Sequence, residues 1–289
     1  MSTEVAPPPP AIAPAEPSTF RKAMRQKRFT VGLGITVLLV LFAIFGPLFA
    51  PFGENEVTGP PYSKVGTLGT DYLGHDVLTR VMYGGQEILV IAVFGTLLGM
   101  VLGVAIGVVA AYGGGWWDEV IMRFNDVVLA FPQILLALLV LTAIEQPTAW
   151  ILIALVGISH APRVARLARG VALGIVSRDF VIAAEALGEK RSRVILAEVL
   201  PNMNAPLLAE AGLRLTYSIG LVGSLGFLGF SADPGAANWG QMIQENRLGL
   251  ATQAWSVLAP VIVIGLFTIG TNLTADGIAQ LNDRGGDDA

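Results

Sequence analysis

The sequence predicts an all-α integral membrane protein that crosses the bilayer six times. Three observations carry that prediction. The 289-residue chain is 53% hydrophobic and only 14% charged, with a mean hydropathy of +0.64, too apolar for the surface of a soluble domain. Six apolar runs lie near 29–49, 88–112, 124–144, 148–169, 205–230 and 253–275. Each approaches or exceeds the roughly 20 residues that cross a hydrocarbon core of about 30 Å. Finally, of 18 lysines and arginines, five fall in residues 21–28 and seven in 163–193. Six spans beginning with the N-terminus inside put both clusters in the cytoplasm, as the positive-inside rule requires.

Taken in order, residues 1–20 hold six of the 17 prolines among alanines and have little to bury, so a disordered cytoplasmic tail is expected. Residues 21–50 combine the basic patch RKAMRQKR with the first span. That apolar run is too long for a signal-peptide core of about 7–15 residues, and no clear small-x-small cleavage site follows it. Residues 51–87 form an external loop. Residues 88–275 form the membrane core, whose spans 3 and 4 are joined by an external turn near Glu145-Gln146-Pro147. Within it, residues 170–203 make a cytoplasmic loop. A second external loop covers 231–252, and an acidic cytoplasmic tail covers 276–289. No internal repeat is evident, so an inverted-repeat secondary transporter gains no support.

Several features invite a functional reading. Gly95, Gly99, Gly103 and Gly107 recur every four residues along span 2, the pattern that lets another helix approach closely, either as static packing or as a sliding contact. Gly220, Gly223, Gly226 and Gly229 recur every three residues in span 5 and weaken it as a helix. Pro132 should kink span 3 near its start. Glu210 and Arg214 stand four apart in the favourable helical order, as a self-neutralising pair or as part of a pathway. Asn125 and Asp126 read as interfacial anchors.

The exclusions are sharper. The chain has no cysteine, so disulfides, thiolate metal sites and a cysteine nucleophile are ruled out. None of the four lysines follows a glycine, so there is no Gly-Lys-Ser/Thr phosphate loop and this chain does not hydrolyse ATP by that chemistry. His75 and His160 are expected toward opposite faces, which argues against a shared metal. No catalytic site and no cofactor of the chain's own are expected.

The basic segment 163–202 is the most informative. Helix signals run over 179–187, stop at Gly188 and resume over 190–200 before Pro201. The result is a cytoplasmic helix–turn–helix in which Ala183 and Ala184 offer a small surface to a partner. An amphipathic pair resting on lipid headgroups is the competing reading.

This segment resembles the loop of ABC-importer permeases, whose signature is Glu-Ala-Ala, a glycine four residues after the second alanine, and a later Leu-Pro. Here it reads Ile182-Ala183-Ala184-Glu185-Ala186-Leu187-Gly188 and ends at Leu200-Pro201. GTDYLGHDVLTRVMYGG (69–85), LAFPQILLAL (129–138), ARLARG (165–170), SLGFLGF (224–230) and NWGQM (238–242) are similar, in the same order, to the dipeptide/oligopeptide/nickel branch. The chain most resembles the second, shorter permease of that branch.

The resemblance implies a type I importer bundle, five core helices plus an N-terminal one, with a coupling helix. It implies a second homologous permease, one or two ATPase subunits that bind ATP and Mg, and an external binding protein delivering peptides. Lipid surrounds the chain and no nucleic acid is involved. The coupling surface would comprise Arg178, Asp179, Ile182, Ala183, Ala184, Glu185, Gly188, Leu200 and Pro201. Nickel chelates, glutathione and glycosides are alternative cargoes in the branch. A channel or secondary transporter working without ATPases is the rival class, and the basic loop argues against it. Two departures stand out: Ile182 replaces the usual Glu, and His75 stands where Arg is common. Either Glu185 substitutes for the missing glutamate or the contact is apolar.

Overall fold

The first helix, α1 (Lys27–Phe45), contains no charged residue after Arg28 and passes into a short 3-10 turn, Gly46–Phe49. The structure is a computed structural model describing residue 24 and residues 26–144 and 146–286. The expected tail at 1–20, half of the basic patch (21–23 and 25), Glu145 and the last three residues lie outside these. The helices that follow are α2 (Val77–Tyr83), α3 (Gly85–Gly113), α4 (Gly115–Leu129), α5 (Gln133–Leu141) and α6 (Ala149–Val176). Then come α7 (Asp179–Ala186), α8 (Arg191–Val194), α9 (Asn204–Phe227), α10 (Trp239–Asn246) and α11 (Trp255–Gly286). Between α8 and α9 the helix widens to a π-helical stretch (Ile195–Val199) and makes one more turn (Leu200–Asn202). Pro201 has no N–H to offer there.

Among the described residues, four helices are long and apolar enough to cross a membrane: Lys27–Phe49, Val77–Gly113, Ala149–Val176 and Trp255–Gln280. A fifth candidate is the pair α4 and α5, bent by 77° at their junction. Thus the expected single span over 124–144 is not one helix. Pro132 disfavours helical backbone at Phe131 and lacks a donor of its own, so the chain breaks outright instead of kinking. The expected fifth span falls on α9. At 24 residues it is about 36 Å long, but Glu210, Arg214 and neighbouring polar residues make it less apolar than the others. Despite its glycine spacing, α9 runs unbroken to Phe227, and α11 continues well past 275.

The core is built on α3 lying along α6. Gly95, Gly99, Gly103 and Gly107 are buried on this seam. A β-carbon at Gly103 would come within 2.4 Å of Val164 Cβ, and one at Gly107 within 2.4 Å of the Ala165 carbonyl. Only glycine allows two backbones this close. α9 packs on α3 and α11, and α1 lies against the outside of α11. One apolar cluster, around Ile88, Ile91, Leu141, Leu152, Ile219 and Trp239, fills one end of the bundle. A second, around Val108, Ala168, Ala172, Val181, Val199 and Met203, fills the other.

Candidate functional site

At the second end, α7 is held by a single deep anchor. Val181 is fully buried among Val108, Ala172, Ile175 and Val194. Around that anchor the predicted residues divide. Arg178 is the extended N-cap residue, whose carbonyl accepts from the N–H of Val181 at 3.0 Å and of Ile182 at 3.2 Å. Asp179 follows in the first turn, where its charge suits the helix dipole. Ala184 and Leu200 are half-buried against the second cluster. Ile182, Ala183, Glu185, Leu187 and Pro201 are exposed. Ala183, more than Ala184, therefore supplies the small accessible surface.

Gly188 ends the helix at φ +81°. Its own N–H donates to the Glu185 carbonyl at 2.9 Å, and that of Glu189 reaches back to Ala184 at 3.2 Å. This is a helix stop that needs left-handed backbone, and so glycine. Glu185, exposed beside Ile182, has one carboxylate oxygen accepting from the hydroxyl of Tyr112, in the last turn of α3. What the tip offers is apolar, with Phe180, Ile182 and Leu187 exposed. The exposed basic residues Arg178, Lys190, Arg191 and Arg193 flank it.

The opposite end carries a folded cap in which the two expected external loops meet. Trp239, fully buried, donates from Nε1 to the Val81 carbonyl at 2.8 Å. Glu54 Oε1 accepts from the Ala237 N–H at 2.6 Å, and Asn246 Oδ1 accepts from the Tyr72 N–H at 3.0 Å. At its centre Asp71 Oδ1 accepts from the N–H groups of Leu73 and His75 at 2.9 and 2.8 Å. Asp71 Oδ2 lies 3.1 Å from His75 Nδ1 and 3.2 Å from Arg80 Nη1. Burial, and then the charge of Glu245, raises the phenol of Tyr72 above its ordinary range. Asp76 caps α2 by accepting from the Thr79 N–H at 2.8 Å.

Between the two ends, polar groups line the helices. Ser218 Oγ is 2.8 Å from Thr96 Oγ1 and 2.9 Å from His160 Nε2, joining α9, α3 and α6. Asn125 is not an interfacial anchor, because it is buried and donates to the Pro162 carbonyl at 2.9 Å. Asp126 likewise faces α6, 2.6 Å from Arg166. Glu210 and Arg214 do pair, Oε1 to Nε at 2.8 Å, although the N–H is not aimed at the oxygen. Sequence spacing found only this last pair. The others join residues many positions apart and leave no local signal.

The comparisons with known proteins decide what this arrangement belongs to. The family described as the inner membrane component of binding-protein-dependent transport systems matches residues 103–285. The N-terminal transmembrane domain of oligopeptide transport permease C matches residues 18–64. The chain belongs to this permease family. Among its relatives is the dipeptide transport system permease protein DppC of Alkalihalophilus pseudofirmus, 34% identical over 98% of this chain and 95% of that one. A putative peptide transport system permease of Brucella suis is 34% identical over 92% of this chain and 90% of its own length. The glutathione transport system permease GsiD of Shigella dysenteriae is 33% identical over 91% and 88%. In structure, a chain of the inward-facing MetNI methionine ABC transporter matches with a TM-score of 0.53 at 18% identity. That match covers 69% of this chain and 96% of the other, and fixes the fold alone.

The permease is therefore a multi-pass inner-membrane protein and the non-catalytic component of an ABC transporter, in keeping with its lack of a phosphate loop. Membership of a binding-protein-dependent system also implies ATPase and binding-protein partners.

Proposed function

We propose that this chain is the second, shorter permease of a pair importing peptides, with six spans and both ends in the cytoplasm. The observation that carries the reading is the exposed apolar tip of α7, anchored by Val181 and ringed by basic residues, at the end of the bundle away from the cap. An apolar, small-residue surface with a cationic rim is suited to insertion into a groove on another protein. Here that protein is an ATPase subunit carrying ATP and Mg, and Arg178, Asp179, Ile182, Ala183, Ala184, Glu185, Gly188, Leu200 and Pro201 form or support the contact. Because Ile182 replaces the usual Glu, the contact is apolar at that point. The bent pair α4–α5 and the polar helix α9 supply spans 3 and 5, which complete the six. Their polar faces turn toward the pathway and the partner permease, not toward lipid. Closure of the ATPases, transmitted through α7, switches the bundle between inward- and outward-facing states, while the cap receives the binding protein.

Peptide cargo is supported by the relatives named for dipeptides and peptides, and glutathione, itself a small peptide, is the second reading through its 33% identical relative. The test is to tag the chain, purify it in mild detergent and identify stoichiometric partners by mass spectrometry. Reconstituted uptake of labelled peptide then follows. Recovery of a second permease, ATPases and ATP-dependent peptide uptake supports the reading. A chain that purifies alone and moves solute without ATP would overturn it.

A further inference from the structure

Three of the four basic residues that α6 and α9 carry between Arg163 and Arg214 along the membrane helices have acidic partners. Arg166 lies 2.6 Å from Asp126, Arg169 lies 2.5 Å from Asp118, and Arg214 lies 2.8 Å from Glu210. Arg163 differs. Its side chain is exposed, its recorded bond is from Nη1 to the neutral Gln133 Oε1 at 3.2 Å, and no carboxylate lies within 4 Å among the described residues. It is also deep. Counting along the 28-residue α6, Arg163 stands about 21 Å from one end and about 20 Å from the other. An exposed guanidinium on a membrane helix is costly if it faces hydrocarbon, and such groups ordinarily face the bundle interior or a water-filled cavity.

A second observation marks the same place. The backbone break between α4 and α5 falls beside Arg163, since its partner Gln133 is the first residue of α5. Ala130, Phe131 and Pro132 in the break are exposed. Non-helical backbone at membrane depth persists where it is enclosed by protein or lines a water-filled cavity. Here an open cavity of about 520 Å³ is lined by Leu129, Arg163, Arg166, Leu167 and Glu210. Together with Asp126 and Arg214, the charged groups around it are three cations and two anions, an excess of one positive charge.

Resting on the peptide-import reading above, we propose that Arg163 is a cargo-binding residue that receives a carboxylate of the peptide as it passes this cavity. Gln133 holds the guanidinium in place, and the paired charges around it leave a single cationic vacancy for one carboxylate.

The test compares three peptides of one sequence in the reconstituted complex: free acid, C-terminal amide, and an amide bearing one glutamate side chain. Uptake is measured with binding protein saturated by each peptide, and the acid-to-amide ratio of each variant is divided by that of wild type. Selection by the binding protein cancels in that quotient. For Arg163→Gln the quotient should fall about tenfold, as expected for a lost charge-assisted hydrogen bond, and Arg163→Lys should hold most of it. Gln133→Glu places a carboxylate beside Arg163 and should lower the quotient with the arginine still present, so the test stands even if Arg163→Gln fails to assemble. If the glutamate-bearing amide follows the free acid, Arg163 reads any carboxylate; if it follows the plain amide, Arg163 reads the chain end. An unchanged quotient in both Arg163→Gln and Gln133→Glu overturns the proposal while leaving peptide import intact. So does loss of assembly in Arg163→Gln with an unchanged quotient in Gln133→Glu, which would assign the vacancy to an acidic residue of the partner permease. Wild-type complex that takes up no peptide at all would instead remove the import reading on which the proposal rests.

Discussion

The hydroxyl of Tyr112, in the last turn of α3, donates to the carboxylate of Glu185 on α7. This bond ties the exposed helix to a membrane helix that also carries the glycine seam. Tyr112→Phe removes the donor and keeps the ring. Because the pair is solvent-exposed, the loss should be modest, at most about fivefold in local stability. Hydrogen exchange of the α7 amides should quicken by that factor, and uptake per ATP hydrolysed should fall. Unchanged exchange in α7 would show that Val181 alone holds the helix.

Gly188 separates backbone strain from steric block. A β-carbon there meets nothing within 4 Å, but φ is +81°. Gly188→Ala should therefore cost about 1 kcal/mol through left-handed backbone and leave docking largely intact. Gly188→Asn should cost less, since asparagine tolerates that conformation. Gly188→Trp adds bulk to the exposed tip and should weaken ATPase binding or uncouple hydrolysis from uptake. Co-purification of the ATPase with each variant orders them, and normal uptake with Trp at 188 would argue against docking at this surface.

How much of this was legible follows from the range of the signals. The helix break at Gly188, the close-packing glycines of α3 and the Glu210–Arg214 pair are written within one or two turns, where periodicity and spacing act directly. Pro132 alone predicts a kink, whereas the chain breaks by 77°, because propensity marks where helix weakens and tertiary contacts decide how far it turns. Asn125 and Asp126 looked interfacial because their partners, Pro162 and Arg166, lie in another helix. The cap was invisible for the same reason: Trp239 meets Val81 and Ala237 meets Glu54 across more than 150 residues. The same range limit hides what distinguishes Arg163 within the basic cluster. What sets it apart is a neutral partner, Gln133, where its neighbours have carboxylates, and only the assembled bundle shows that.

The seam between α3 and α6 gives a prediction about stability. Gly103→Ala places a β-carbon 2.4 Å from Val164 Cβ and 2.7 Å from the Ala161 carbonyl, so the helices must separate. Overpacking of this kind costs about 1–3 kcal/mol. Gly34→Ala in α1, with nothing within 4 Å, should be neutral or slightly stabilising, since alanine is the better helix former. Thermal unfolding of the two variants in detergent should show a clear drop for the first and little change for the second. Equal behaviour would mean that the seam gives way without cost.

The cap depends on Asp71 as its shared acceptor. The residue is 1% exposed, and its two oxygens serve the Leu73 and His75 amides, the His75 ring and Arg80. With hydrogen on Nδ1, His75 donates to the same oxygen that accepts from Arg80. Asp71→Asn keeps the shape but turns one acceptor into a donor facing Arg80, itself buried. The next carboxylate, Glu245, stands 4.0 Å away and cannot replace it well. Breaking a buried pair of this kind costs about 3–5 kcal/mol. Glu245→Gln keeps an amide oxygen to accept from Gln241 Nε2, 2.8 Å away, and removes a charge 4.0 Å from Arg80, so it should cost less than Asp71→Asn. Hydrogen exchange across 57–83 should therefore rise strongly in Asp71→Asn and little in Glu245→Gln, with α6 and α7 unaffected in both. Comparable exchange in the two variants would mean that Arg80 draws on both carboxylates equally, and that the cap is organised around Arg80 and not around Asp71.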